Sequence, residues 1–348
     1  MAFAMTAVFG LVSISCSEDD DEKGESSSSV PAGTLVGDDA EANAAVANLR
    51  LMAVSSNYTS YRYTYDEKGN LETISDMRDD WSASAKDNFK IVVGEQYDDG
   101  DWWDEVYTLN ISNNLVTSYS VKWNEVENGE HDTGTGVMKF KYNAKGQLTS
   151  VTYTADGSGS DGWYKKIEGT TSITYSADGR ITLVDYTELE EEDGDRDTYQ
   201  ETIEYEYASF SKVNKFYQYI PKFLEEDIYI DIEDGYVNAF AYVGLFGKAS
   251  SYIPTKSTYK SISHHADGES HTYSGTNTDY TCSFNSNGTL RSADDYGSTC
   301  NFIYTTIDTR SVFDTNLPVW RQGEQAKDKR MSRRSMIKSR RERHRQNF

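Results

Sequence analysis

The chain has 348 residues and a formal net charge of −23, with 26 tyrosines and only 4 prolines. A body this acidic repels nucleic acid and anionic membrane surfaces, so we expect no nucleic-acid partner. Tyrosine suits strands with one wet face, because its ring covers a sheet while its hydroxyl stays in water. The composition therefore favours an all-β protein, which is commonly one domain of roughly 200–250 residues.

The first segment of the chain is apolar and ends at a cysteine. Residues 1–15 are long enough for a signal peptide and too short to span a bilayer. Small residues precede Cys16, as at a lipoprotein cleavage site, so we expect Cys16 to be acylated. Residues 16–37 then form an acidic and serine-rich tether that cannot bury a core. Residues 38–56 are predicted to form a short amphipathic helix.

A hairpin-tip motif opens the predicted β-domain, which covers residues 57–310. In YDEKGNL (65–71), Asp66 can cap a type I turn and Gly69 can supply the positive φ that follows it. The same template fits four further stretches: LNISNNL (109–115), YNAKGQL (142–148), YSADGRI (175–181) and FNSNGTL (284–290). The capping and positive-φ positions there are Asn110 and Asn113, Asn143 and Gly146, Ser176 and Gly179, and Asn285 and Gly288. The repeat predicts an antiparallel meander of hairpins in one large sheet or open barrel.

These hairpins resemble the YD-type repeats, Tyr-Asp-x-x-Gly-x-Leu, of large bacterial surface and toxin-shell proteins. The chain is still more similar to a family of YD-like lipoproteins from Bacteroidota, in which a Leu/Phe-Gly-Lys-x-Ser segment and a Pro-Thr pair follow the hairpins. LFGKASSYIPT (245–255) matches that segment, and the resemblance covers residues 57–305. It implies a lipoprotein, and because the family has no established activity, the resemblance assigns no catalytic residues to this chain. Within 235–251 we predict a short helix that ends at Gly247, before Pro254.

Two stretches offer candidate binding residues. Trp102 and Trp103 are adjacent on a predicted strand, so they point to opposite faces and one of them is a candidate ligand contact. Asp193, Asp195 and Asp197 alternate in an acidic loop that could bind Ca²⁺ weakly. The glycine of that loop stands at position two instead of six, so we favour a solvated hairpin there.

Histidines and cysteines offer weaker candidates. His264, His265 and His271 are close enough in sequence for a metal site, although an ordinary polar hairpin is the favoured interpretation. Cys282 and Cys300 would lie two strands apart in a meander, at about 10 Å. That distance is beyond the reach of a disulfide, so we favour two thiols.

The C-terminal segment, residues 311–348, differs in charge from the rest of the chain. Residues 321–348 hold 11 of the 34 Lys and Arg and only three acidic residues. Without this stretch the chain has 23 basic and 54 acidic residues, a net charge of −31. We favour a disordered or foreign extension over a basic arm that binds phosphate or lipid head groups.

The sequence contains no nucleotide-binding, nucleophile-elbow or zinc-protease motif, and we expect no cofactor. The acidic cluster behind Cys16 resembles the surface-export signal of Bacteroidota lipoproteins, which implies a location on the outer face of the outer membrane, with membrane contact only through the lipid. The alternative is a solvated linker in the periplasm. We expect a non-enzymatic binding or structural module for a glycan or protein ligand. The alternative is a carboxylate-based hydrolase of extracellular glycans, because carboxylate pairs are abundant.

Overall fold

The computed structural model describes residues 49–55, 60–76, 81–97, 100–207, 236–247, 254–278, 282–284, 290–295 and 298–306. The described part is nearly all strand, with one α-helix, α1 (Tyr236–Ala241), and one 3₁₀ turn (Ala85–Asp87). No helix within these ranges has the length and apolar character needed to cross a membrane. The strands are β1 (Leu49–Ser55), β2 (Ser60–Tyr65), β3 (Leu71–Asp76), β4 (Trp81–Ser84), β5 (Ile91–Gln96), β6 (Trp102–Ser112), β7 (Leu115–Glu127), β8 (Glu130–Tyr142), β9 (Leu148–Gly159), β10 (Tyr164–Tyr175), β11 (Ile181–Glu192), β12 (Asp195–Glu206), β13 (Lys256–His264), β14 (Ser270–Asn277), β15 (Cys282–Phe284), β16 (Leu290–Asp295) and β17 (Ser298–Thr306).

The strands form two antiparallel sheets. A ten-stranded sheet holds β5 to β14 in chain order, so each strand pairs with the next one along the chain. A seven-stranded sheet has the order β15-β16-β17-β1-β2-β3-β4, in which β1 pairs with β17. Neither sheet closes on itself among the described strands. The predicted all-β antiparallel meander is confirmed, with its strands divided between two sheets.

Strand β1 occupies residues that were predicted to end the N-terminal helix. Leu51 and Val54 are buried in the core, and the strand pairs with β17 on one side and with β2 on the other. The helix prediction is wrong for residues 49–55, because long-range pairing outweighs the helix propensity of leucine and alanine. The β-domain therefore begins before residue 57. Several predicted segments lie outside the described residues: 1–15, 16–37 with Cys16, 38–48 and 311–348.

Three motif tips have the backbone geometry that the motif requires. Gly69, Gly146 and Gly179 have φ values of 77°, 76° and 92°. The amide of each glycine donates a hydrogen bond to the carbonyl three residues earlier. The side chains at the first turn position accept backbone amides of the same turn, at Asp66, Asn143 and Ser176. Short-range hydrogen bonds therefore hold these three tips.

The tip at 109–115 is shorter than predicted. Its turn consists of Asn113 and Asn114 alone, with φ values of 53° and 60°. Two consecutive asparagines supply both positive φ values that a two-residue hairpin needs. Asn110, predicted to cap the turn, lies within β6 instead. The turn residues of the fifth tip lie outside the described residues: Asn285 and Gly288.

The tyrosine that opens the motif ties each hairpin to the one before it. Tyr142 Oη donates to the Val116 carbonyl at 2.6 Å, and Tyr175 Oη donates to the Leu148 carbonyl at 2.8 Å. Burial raises the pKa of both tyrosine hydroxyls, so each stays protonated as a donor. The repeated tyrosine therefore satisfies a backbone carbonyl of the neighbouring strand.

Residues 236–247 form hydrogen bonds with both sheets. The carbonyl of Leu245 accepts the amide of Val116 in the ten-stranded sheet at 2.8 Å. Tyr63 Oη in the seven-stranded sheet donates to the carbonyl of Ala239 at 2.9 Å. The segment therefore joins both sheets around one core, at the end of the ten-stranded sheet that carries the motif tips.

The segment that carries the family resemblance contacts a motif tip. Helix α1 ends at Ala241, earlier than the predicted end at Gly247, and the chain turns at Gly244 with a φ of 78°. Gly247 has a φ of 100°, and a Cβ there would lie 2.7 Å from the carbonyl oxygen of Gly146. A glycine therefore lets the segment pack directly on the tip of the 142–148 hairpin.

Candidate functional site

The two ends of the ten-stranded sheet differ in chemistry. We call the face that carries Phe140 the inner face, because Phe140 packs against Phe246 of the segment between the sheets, with 4.9 Å between ring centroids. The far end is the one opposite the motif tips, with the turns that follow β7, β9, β11 and β13. There the inner face is acidic and aromatic instead of aliphatic. This acidic-aromatic cluster consists of Trp103, Glu105, Trp123, Trp163, Lys165, Glu190 and Glu192.

Lys165 lies between two glutamates of the neighbouring strand. Its Nζ is 2.8 Å from Glu190 Oε1 and 3.8 Å from Glu192 Oε2, and the three side chains are 2%, 9% and 8% exposed. The alignment of Nζ with Glu190 Oε1 is outside hydrogen-bond geometry, so this contact is an ion pair. Two carboxylates share one ammonium, which leaves excess negative charge where water screens it little.

Two buried tryptophans pack together on a pair of glycines. Trp123 and Trp163 form their own small cluster. A Cβ at Gly157 would lie 2.9 Å from Trp123 and 3.2 Å from Trp163, and one at Gly134 would lie 2.5 Å from Trp123. Trp163 Nε1 donates to Glu192 Oε1 at 3.2 Å. The glycines therefore make room for the two indoles, and a carboxylate orients one of them.

Several buried glutamates on the inner face, within the cluster and outside it, accept hydrogen bonds from tyrosines. Glu188 accepts hydrogen bonds from both Tyr153 and Tyr186, whose hydroxyls are 3.0 Å apart. The ring of Tyr153 lies over Gly169, where a Cβ would be 1.9 Å from Cε1 of the ring. Two further glutamates accept from a tyrosine two residues away on the same strand face: Glu105 from Tyr107, and Glu201 from Tyr199.

Trp102 and Trp103 point to opposite faces of β6, and both are half-buried. Trp103 lies on the inner face, where its Nε1 donates to Tyr97 Oη at 3.3 Å. Trp102 lies on the outer face, and its ring centroid is 6.0 Å from that of His131. Trp103 is therefore the member of the pair that shares a face with the buried Glu105.

The three aspartates of the predicted calcium loop are not brought together. Asp193 Oδ1 accepts the amide of Tyr164 at 2.9 Å, whereas Asp197 Oδ1 accepts the amide of Ala266 at 2.8 Å. Asp195 is exposed at the start of β12. Within the described ranges, no three His, Cys, Asp or Glu side chains have an arrangement that could hold a metal ion. Asp193 and Asp197 therefore hold two different neighbouring turns.

The three histidines of the predicted metal site also have different hydrogen-bond partners. His264 Nδ1 is 2.7 Å from Ser270 Oγ at an exposed position, while His265 Nδ1 is 3.2 Å from Asp197 Oδ2 in a buried one. The rings of His265 and His271 share a face, with centroids 5.4 Å apart. His265 is therefore held by a carboxylate of β12, away from His264.

The two cysteines of the seven-stranded sheet have the predicted strand separation. Ala293 of β16 pairs with Cys282 of β15 and with Cys300 of β17. The cysteines therefore lie two strands apart, at about 10 Å, which is beyond disulfide reach. Cys300 is buried.

The acidic-aromatic cluster contains residues that sequence patterns did not single out. The available signal is in β11, where glutamates recur at every second position after Tyr186. Such spacing places them on one face of a strand. The residues that were not predicted as a site are Glu105, Lys165, Glu190 and Glu192.

Comparison with known proteins does not assign the chain to a family. No protein-family model and no curated protein matches the chain. A crystal structure of a porin-like protein from Bacteroides vulgatus is 11% identical with a TM-score of 0.42, and the match covers 73% of this chain and 97% of that chain. One of a porin-like protein from Bacteroides uniformis is 12% identical with a TM-score of 0.21, covering 62% of this chain and 96% of that chain. The assignment of the chain to the all-β class therefore depends on the strands that the structure describes.

Proposed function

We propose that the chain is a surface-exposed outer-membrane lipoprotein whose β-domain binds a glycan or protein ligand at the acidic-aromatic cluster. The observation that supports binding is the meeting of indole rings and buried carboxylates on one face of the sheet. A lipid on Cys16 and the tether of residues 16–37 would hold the domain some distance from the membrane, within reach of such ligands. Binding itself requires no chemical step.

A neutral glycan fits the cluster best. Aromatic rings offer flat apolar surfaces, and a few well-placed polar groups fix the orientation of a ligand. At one end of the cluster, Glu190 and Glu192 of β11 can accept hydrogen bonds from sugar hydroxyls. At its other end, on β6, Trp103 is half-buried on the same face as Glu105. The net charge of −23 disfavours an anionic glycan. A protein that presents basic side chains is the other ligand class this charge permits.

Trp102 and Trp103 point to opposite faces of β6, so replacing each of them separately tests whether the ligand binds on the inner face. Trp103→Ala should weaken ligand binding by roughly 10-fold or more, because it removes the partly exposed ring at the β6 end of the cluster, next to Glu105. Trp102→Ala is the matched control on the outer face and should bind normally. The measurement is a screen of the full chain on neutral oligosaccharides, followed by calorimetric titration of each variant with the best ligand.

Four results would count against a glycan-binding site at Trp103. Normal binding by Trp103→Ala, or an equal loss in both variants, would place the ligand elsewhere. Capture of a protein but of no oligosaccharide would replace the glycan with a protein ligand. Steady release of a shortened glycan, lost in Glu190→Gln, would favour the carboxylate-based hydrolase.

The proposed lipid anchor has its own test. Cys16→Ala should prevent incorporation of radiolabelled palmitate and move the protein out of the membrane fraction, because the acylated side chain is gone. Cys282→Ala is the control and should be labelled like the unmodified chain. The measurement is autoradiography of fractionated cells of a Bacteroidota host. An unmodified chain that takes up no label would refute the anchor without bearing on the binding site.

A further inference from the structure

Ser263, His265 and Asp197 form a hydrogen-bonded row at the far end of the inner face. Ser263 Oγ is 3.2 Å from His265 Nε2, and His265 Nδ1 is 3.2 Å from Asp197 Oδ2. Asp197 Oδ1 accepts the backbone amide of Ala266 at 2.8 Å. The backbone therefore orients the carboxylate, the carboxylate orients the imidazole, and the imidazole meets the serine hydroxyl.

The order of these atoms determines where the protons lie. An ionised aspartate only accepts hydrogen bonds, so Nδ1 of His265 carries the ring hydrogen. The lone pair of Nε2 then faces the Ser263 hydroxyl and can accept its proton. A nucleophile, a base and a group that orients the base, each within hydrogen-bond reach of the next, are the parts of a serine acyl-transfer site.

The surroundings of the row hold it in place and limit what can reach it. His265 opens a hairpin tip, where the amide of Gly268 donates to its carbonyl at 2.9 Å. Ser263 is 2% exposed and His265 is 7% exposed. Strand β14, which follows that tip, is the edge of the ten-stranded sheet, so the serine lies one strand from the edge. A nearly buried hydroxyl admits only a small acyl group, and the negative charge of the chain disfavours anionic substrates.

We propose that Ser263, His265 and Asp197 hydrolyse small, uncharged carboxylic esters, an activity that goes beyond the proposed ligand binding. Ser263 Oγ attacks the carbonyl carbon and its proton passes to His265 Nε2. The ester C–O bond then breaks, and the leaving alkoxide oxygen takes that proton. Water attacks the acyl-serine and gives a proton to Nε2, which returns it to Ser263 Oγ as the carboxylic acid leaves. Asp197 is a positioning residue that keeps Nδ1 protonated and the ring aligned.

A serine-directed probe tests the site on the full chain. The small reagent dimethyl fluorophosphate should label the unmodified protein at Ser263, as identified by the mass of the modified peptide, and the protein should hydrolyse 4-nitrophenyl acetate. Ser263→Ala should abolish both signals, and His265→Gln should slow them by roughly 100-fold. Ser261→Ala is the matched control, because Ser261 lies two residues earlier on the same face and is 3% exposed. It should keep both signals.

The peptide mass decides the outcome even if a variant folds poorly. An unmodified chain that takes no label, a label on another residue, or equal labelling of Ser263→Ala would overturn the proposal. Glycan capture by Ser263→Ala should be normal, so failure of the ester site and failure of the binding site give different results.

Discussion

Replacing Lys165 with methionine should lower the free energy of unfolding by about 3–5 kcal/mol. Methionine keeps most of the apolar stem but removes the ammonium that lies 2.8 Å from Glu190 and 3.8 Å from Glu192. Both carboxylates then lack this counter-charge at positions that water barely reaches, and they repel each other from the same face of β11. Urea denaturation at neutral pH measures the change.

The neighbouring lysine provides the matched control. Lys166 pairs with Glu168 at 2.6 Å on the outer face, where both side chains are nearly half exposed, so Lys166→Met should leave stability almost unchanged. Adding Glu190→Gln and Glu192→Gln to Lys165→Met should recover most of the lost stability, because neutral amides end the charge imbalance. Equal effects of the two lysine substitutions would show that Lys165 is not a buried counter-charge.

Turn geometry was the part of the fold most accessible from the sequence, because it depends on residues close together in the chain. Gly146 supplies the positive φ and Asn143 caps the same turn, whatever the strands pair with. The division into two sheets has no such local signal. It depends on pairing between chain ends, as where Leu49 meets Thr306, and this pairing also makes residues 49–55 a strand.

The acidic-aromatic cluster could not be predicted from hydrophobic patterning, because its glutamates point inward. Val184 and Tyr186 lie in the core, and they determine the inward face of β11. The strand pairs with β12 without a register shift, so the positions that follow keep the same face and Leu189 points outward. The inward glutamates that result are Glu188, Glu190 and Glu192.

Knowing the face of β11 is still not enough to find the cluster. Lys165 meets Glu192 only because β10 and β11 pair in one particular register. Buried charge is generally less favourable than apolar packing of the same volume. We therefore propose ligand binding, and not stability, as the reason why these charges are concentrated at the far end.

Gly169→Ala should destabilise the protein by about 3 kcal/mol or more, although it adds a single methyl group. That methyl would lie 1.9 Å from Cε1 of Tyr153, so the ring must leave its place on the inner face. Tyr153 then loses its hydrogen bonds to Glu188 and Tyr186, and a buried carboxylate loses a donor. Thermal unfolding followed by circular dichroism should show a clearly lower midpoint.

Two further variants separate steric displacement from a general effect of alanine in a strand. Gly136→Ala should be much milder, because the nearest atom to its Cβ would be a methyl of Val121 at 2.9 Å, and its other neighbours would lie at 3.8 Å or more. In Tyr153→Leu the ring is absent, so adding Gly169→Ala to it should cost far less than Gly169→Ala alone. If the effects of the two substitutions instead add independently, the ring of Tyr153 does not lie on Gly169, and steric displacement of the ring is the wrong explanation.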